Sequence, residues 1–206
     1  MGLSPWYPLK AFTLFSGIML AVLMAIGTAH PFERFGPANQ ATLVRAAIVT
    51  LVVALVGEPT SAAAATYVAG ASVLAAVLDG VDGWLARRSG MASAFGARFD
   101  MEIDALLVLA LSLLAWKYDK AGAWIVLAGL MRYLFVGAGM LAPWLQRPLP
   151  TSRRRQAACV VQIVGLSVVM LPAIGQPSSA WVSAALLALL SGSFCIDVRW
   201  LRQHHE

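Results

Sequence analysis

Asp79, Asp82, Asp100 and Asp104 all fall within the stretch VLDGVDGWLARRSGMASAFGARFDMEID, in a chain that is otherwise mostly apolar. A carboxylate in an apolar helix is costly unless something offsets its charge. On a helix, Asp79, Asp82, Gly83 and Ala86 fall at i, i+3, i+4 and i+7 and share one face; Gly96, Asp100 and Asp104 fall at i, i+4 and i+8 and share another. The residues from Arg87 to Phe95 allow a tight return, so the two faces can meet and the four carboxylates converge. Left bare, they would repel one another and some would protonate. Divalent cations remove that difficulty: all-oxygen ligands suit Mg²⁺ or Mn²⁺, and no cysteine or histidine stands in the stretch to favour zinc. Arg87 beside them suits phosphate oxygens, which a structural ion site or an ion pathway would leave unexplained. Metals and arginine together point to phosphoryl transfer, where catalysis is mainly positioning and charge neutralisation.

Gly83, Ala86 and Gly96 add to this. Small residues on the carboxylate faces either leave space for a bulky ligand near the backbone or serve helix packing. Beside four aligned aspartates, ligand space is the stronger reading. An EF-hand does not fit, because its oxygen ligands alternate within a twelve-residue loop.

The elements that carry these residues must lie in a membrane. The chain has 206 residues, 60% hydrophobic and 12% charged, with a mean hydropathy of +0.76. That charged fraction is roughly half of what a soluble domain carries. Apolar segments recur at about 11–29, 39–57, 63–86, 97–117, 121–143, 155–173 and 179–197, close to the length of a spanning helix. Breaks such as HPFERFGP, GEPTS, RRSG, QRPLPTSRRR and GQPSS separate them. No internal repeat or linker is visible, so residues 1–206 read as a single all-α polytopic membrane domain. Cys159 and Cys195 lie inside apolar runs and read as free, buried thiols with no disulfide framework. The first run is too long for a secretory signal core and reads as retained. The net charge of +5 fits basic loops that set topology, with no nucleic-acid partner.

Alternation of the segments puts Arg34, Arg87, Arg88, Arg147, Arg153, Arg154, Arg155, Arg199 and Arg202 on one side and Lys10, Lys117 and Lys120 on the other, nine against three. The positive-inside rule places the first group, and with it the aspartates, at the cytoplasmic face. For the first segment two placements stay open, spanning the bilayer or lying along it.

Asp79-x-x-Asp82-Gly83-x-x-Ala86-Arg87, eight residues, then Gly96-x-x-x-Asp100-x-x-x-Asp104 resembles the complete signature of the CDP-alcohol phosphotransferase (CDP-alcohol phosphatidyltransferase) family. GPANQATLVR ahead of the second segment is similar to the opening of that family's first core helix. The resemblance implies a six-helix transmembrane core, here with an additional N-terminal apolar helix, usually in a homodimer with a polar cavity facing the cytoplasm. It implies that Asp79, Asp82 and Asp100 bind one metal, that Asp79, Asp100 and Asp104 hold a second, and that Asp104 is the general base. Gly83, Ala86, Arg87, Ser93 and Gly96, with Asn39 and Thr42, would surround the CDP-linked donor. The two ions would be Mg²⁺ or Mn²⁺.

Arg132, Arg153 and Arg154 are the expected acceptor contacts. A buried structural pair is the alternative for Arg132, and topology or anionic lipid headgroups the alternative for the arginines at 153–155. Arg45 lies one turn inside its helix and reaches either the donor or a carboxylate. Glu102, on the other side of its helix from Asp100 and Asp104, reads as a satisfied or solvated carboxylate. The expected activity is phosphatidyl transfer from CDP-diacylglycerol to an alcohol, with release of CMP. A phosphorylated acceptor such as glycerol 3-phosphate or inositol phosphate is favoured over serine, free inositol or a lipid acceptor, because guanidinium forks match phosphate oxygens. A membrane prenyltransferase and a divalent-cation carrier are the competing readings. The first usually needs two separated Asp-rich motifs; the second predicts metal flux without CMP. The expected location is an integral position in a bacterial inner (plasma) membrane, among membrane lipids.

Overall fold

The structure, a computed structural model, describes residues 2–29, 35–89, 91, 93–147, 149, 150 and 152–204; the side chains of residues 27–29, Asp82, Ala86 and Arg87 lie outside that description. Among the described residues there are seven α-helices and no strand: α1 (Tyr7–Ala29), α2 (Pro37–Ala54), α3 (Ala62–Ser89), α4 (Ala94–Lys117), α5 (Val126–Leu141), α6 (Arg153–Val169) and α7 (Ser178–Gln203). One-turn 3-10 segments at Ala123–Ile125 and Pro143–Gln146 flank α5. The seven apolar segments read from the sequence thus correspond to the seven helices.

Local sequence explains several helix starts. Pro37 opens α2 where a missing N–H costs nothing. Ser93 caps α4, its hydroxyl accepting from the Gly96 amide at 3.0 Å. Five helices are long and apolar enough to cross a membrane: α1, α2, α3, α5 with its preceding turn, and α7. The other two depart for visible reasons. Arg98, Asp100, Glu102 and Asp104 interrupt the first half of α4, and α6 has 17 residues that begin with three arginines.

α4 is the hub, packing against α2, α5 and α6, while α3 lies chiefly on α2 and α6 and touches α4 only sparsely. Leu107, Leu111 and Leu114 of α4, Val49 and Val52 of α2, and Ile163 and Leu166 of α6 fill the centre. Between helices in lipid the hydrophobic effect gives little drive, so small residues that allow close approach matter more. Gly129 shows this directly: a Cβ there would lie 2.4 Å from the Cα of Leu109, so α5 rests on α4 only because the side chain is absent.

α1 runs antiparallel along the outside of α2. Tyr7 Oη donates to the Leu51 carbonyl at 2.9 Å near the end of α2. Lys10 pairs with Glu58 in the loop after α2, and the Ser4 amide donates to the same carboxylate at 2.7 Å. The 23 residues of α1 rise about 34 Å, enough to cross a hydrocarbon core of about 30 Å. By length and composition α1 is thus among the helices able to cross a membrane. Lys117 donates to the Glu58 carbonyl, so Lys10, Lys117 and Glu58 share one end of the bundle. Lys120 closes the same end by donating to the Leu171 carbonyl at 2.9 Å and to that of Ile174. The hydrogen bond from Lys10, with those from the Ser4 amide and hydroxyl, holds the Glu58 carboxyl well below its ordinary range, at about 2.

Candidate functional site

At the end of the bundle away from these lysines, α2, α3, α4 and α6 bring their polar residues together. Asn39, Thr42 and Arg45 follow one another at three-residue intervals along α2 and are 5%, 3% and 1% exposed. Because α2 packs against both α3 and α4, a long side chain on its inward face reaches the space between those two helices. Arg45 occupies that space. Its Nη1 lies 3.0 Å from Asp79 Oδ1 on α3 and donates to Asp100 Oδ1 on α4, while Nη2 donates to Asp104 Oδ1. Each of the three aspartates offers a carboxylate oxygen within 4.8 Å of the others.

The two aspartate faces therefore meet, though α3 and α4 hardly pack on each other. What joins them is α2, through one guanidinium. Arg45 resolves toward the carboxylates, the second of the two roles open to it. Its fork geometry suits this, since one planar group supplies several N–H bonds at fixed angles. Asp82 stands one turn beyond Asp79 in the α3 backbone, but its side chain, like those of Ala86 and Arg87, is outside the described set.

Cys159 on α6 adds a contact that sequence spacing does not reveal. Its thiol donates to Asp104 Oδ2 across 3.5 Å, although the two residues are 55 positions apart. The absence of cysteine from the aspartate stretch is thus not its absence from the site. Three hard oxygen donors remain the feature that defines the cluster, and they suit Mg²⁺ or Mn²⁺.

The small residues divide. Gly96 lets α2 come close: a Cβ there would lie 2.7 Å from Asn39 Oδ1. The space beside it is filled by Asn39, whose amide donates to the Phe35 carbonyl at 2.5 Å. Thr42 Oγ1 donates to the Ala38 carbonyl at 3.1 Å. Ser93 is engaged as the α4 cap. Gly83 is half-buried on α3, one residue past Asp82.

The expected acceptor arginines are separated by the fold. Arg132 on α5 pairs with Glu102, about 200° round α4 from Asp100, so this guanidinium is on the far side of α4 from the carboxylates. Glu102 is accordingly a paired carboxylate and not a member of the cluster. Arg154 donates to the Ser193 carbonyl and hydroxyl, each at 2.6 Å, and to Asp197 of α7. Arg153 is exposed. Arg155 donates to the Pro150 carbonyl and stands 3.7 Å from Asp197. Arg154, Arg155, Ser152 and Asp197 line a cavity of about 210 Å³ at the start of α6. α6 therefore links an arginine-rich N-terminus to the carboxylates, since Cys159 lies one turn past Arg155.

The family model described as CDP-alcohol phosphatidyltransferase matches residues 35–192 of this chain. The match begins just ahead of α2 and leaves α1 outside it. No match was found among curated proteins or among solved structures.

Proposed function

Since the chain belongs to the CDP-alcohol phosphatidyltransferase family, whose members transfer a phosphatidyl group from a CDP-alcohol to an acceptor, we propose that its donor is CDP-diacylglycerol and its acceptor a phosphorylated alcohol such as glycerol 3-phosphate or inositol phosphate. The observation that carries the chemistry is the convergence of Asp79, Asp100 and Asp104 on one point. With Asp82, these residues would hold two Mg²⁺ or Mn²⁺ ions. Bound there, the metal supplies charge neutralisation for a diphosphate.

The residues of the chain do the rest. Asp104, at 15% the least exposed side chain of the three, accepts the proton of the acceptor hydroxyl. The acceptor oxygen then bonds to the phosphorus that carries the lipid, and the bond from that phosphorus to the CMP oxygen breaks, its electron pair leaving with CMP. Arg87 steadies the departing phosphate; Gly83, Ala86, Ser93, Gly96, Asn39 and Thr42 shape the donor side of the site. The exposed and cavity-lining arginines at the start of α6 supply the preference for phosphate on the acceptor, assisted by the free amides of a helix N-terminus. In this reading Arg153 and Arg154 are the contacts, and Arg132 contributes only by holding α5 on α4 through Glu102. The site opens to the cytoplasm, and two copies form the functional unit.

Purified protein supplied with CDP-diacylglycerol, Mg²⁺ or Mn²⁺ and a panel of alcohols tests the proposal by CMP release. Fastest turnover is expected with a phosphorylated alcohol, with no CMP in excess EDTA. Better use of serine, free inositol or phosphatidylglycerol than of every phosphorylated alcohol offered overturns the acceptor assignment while leaving the transfer chemistry intact.

A further inference from the structure

Between α5 and α7 a groove of about 460 Å³ runs toward the arginine-rich end of the bundle. Its walls are Met131, Phe194, Cys195 and Val198, and Arg199 and Arg202 stand at its rim. Phe135 meets Phe194 edge to face at 5.7 Å and helps to close the groove between the helices. α4 separates it from the carboxylates, because Arg132, next to Met131, faces Glu102 on the opposite side of α4.

The two rim arginines, like the exposed Arg153, differ from the arginines that the fold engages. Arg147, Arg154 and Arg155 at the same end all donate to carbonyls or carboxylates. Arg199 and Arg202 are exposed and have no ion-pair or hydrogen-bond partner among the described residues. They sit three residues apart on α7 and so project along one face. Trp200 between them, stacked on His204 at 4.3 Å, is the residue type that settles at headgroup depth. Two unpaired guanidiniums at that depth, above an apolar trough, are complementary to one class of molecule: a chain of methylenes ending in a phosphate.

We propose that the α5–α7 groove is a binding site for a single anionic phospholipid, with an acyl chain along Met131, Phe194, Cys195 and Val198 and the phosphate on Arg199 and Arg202. Methionine suits such a wall, because it adapts its shape to flexible chains. A zwitterionic headgroup carries an ammonium that these arginines repel, so the site discriminates by net charge. It lies apart from the carboxylate cluster and does not depend on the acceptor assignment.

Cys195, expected from its apolar run to be buried, is instead exposed where α7 lines the groove, and so is a built-in reporter. Full-length protein is placed in nanodiscs of phosphatidylcholine alone or of phosphatidylcholine with added phosphatidylglycerol. Alkylation of Cys195 by an uncharged maleimide is then followed by peptide mass, which separates it from Cys159. Phosphatidylglycerol should slow alkylation several-fold in the wild type and have no effect in Arg199→Gln/Arg202→Gln. As a second reading, native mass spectrometry should find one retained phosphatidylglycerol on the wild type and none on the double variant. Equal alkylation rates in the two lipids, or slowing that persists in the double variant, overturns the proposal. So does a Cys195 protected in both lipids in proportion to the cross-linked dimer, which would assign the groove to a second copy of the chain.

Discussion

Replacing Arg45 by glutamine removes the cation that, among the described residues, joins α2, α3 and α4, and its consequence can be worked from the geometry. Three carboxylate oxygens lie within 4.8 Å of one another. At an effective dielectric of about 20, each pair at that separation repels by roughly 3.5 kcal/mol. Asp79 and Asp100 are 25% and 33% exposed, so water screens part of this. Removing one partner of a fully buried ion pair costs about 3–5 kcal/mol; with the screening, about 2–3 kcal/mol is the expected loss for Arg45→Gln. For a chain of this size that corresponds to a melting temperature lower by roughly 4–12 °C in metal-free detergent solution. Arg45→Lys, which keeps the charge but not the fork, should fall between the two.

The assay is thermal unfolding of purified protein in EDTA and again with Mg²⁺ or Mn²⁺. A divalent ion on the same oxygens replaces the missing charge, so metal should raise the melting temperature of Arg45→Gln more than that of the wild type. This readout separates an electrostatic role from simple packing, because a packing defect would not be mended by a cation. If Arg45→Gln melts with the wild type in EDTA, or if metal shifts both proteins equally, the assignment of Arg45 as the counter-charge of the cluster is refuted.

Asp104→Asn should fold and melt near the wild type yet release almost no CMP, because the amide cannot take the acceptor proton; wild-type turnover in this variant excludes Asp104 as the base. Gly129→Ala should destabilise the protein by about 1–3 kcal/mol, since its Cβ would meet the Leu109 backbone, and an unchanged melting temperature would deny the close α4–α5 contact. Glu58 is held at about 2, below its ordinary value of 4.5; the stability it contributes is therefore complete above pH 4.5 and is lost as pH falls toward 2, so the acid unfolding profile of Glu58→Gln should be flatter across that window. Single cysteines at Ser89 and Ala173, exposed at opposite ends of the bundle, should report orientation in intact cells of a Cys159- and Cys195-free background: an impermeant thiol reagent should label position 173 and spare 89, and the reverse pattern inverts the topology.

Much of this organisation could be read from the residues themselves. A helical period that aligned Asp79 with Asp82 and Asp100 with Asp104 needs no tertiary information, and apolar runs broken by Pro, Gly and Arg delimit helices because lipid leaves the backbone few alternatives. The α1 placement was different. Its apolar length does not say which helix it packs on; Lys10 and Ser4 meet Glu58 in the loop after α2, residues whose partnership across 48 and 54 positions has no local sequence signal. Cys159 was invisible for the same reason, being brought to Asp104 by the packing of α6 on α4.

Arg45 marks the boundary between the two kinds of knowledge. Its spacing from Asn39 and Thr42 put it on one stripe of α2, and a charge inside an apolar helix must face a partner. Spacing could not choose between a phosphate and a carboxylate, because both accept the same guanidinium fork. The choice is made by helix order in space: α2 lies against both carboxylate helices while these barely touch each other. A direct α3–α4 contact would have needed only small residues. A gap spanned by one guanidinium instead leaves the aspartates apart enough to open toward solvent, 15% to 33% exposed, where a hydrated cation and a diphosphate can reach them. The charge that stabilises the cluster is thus also what keeps its two halves from closing.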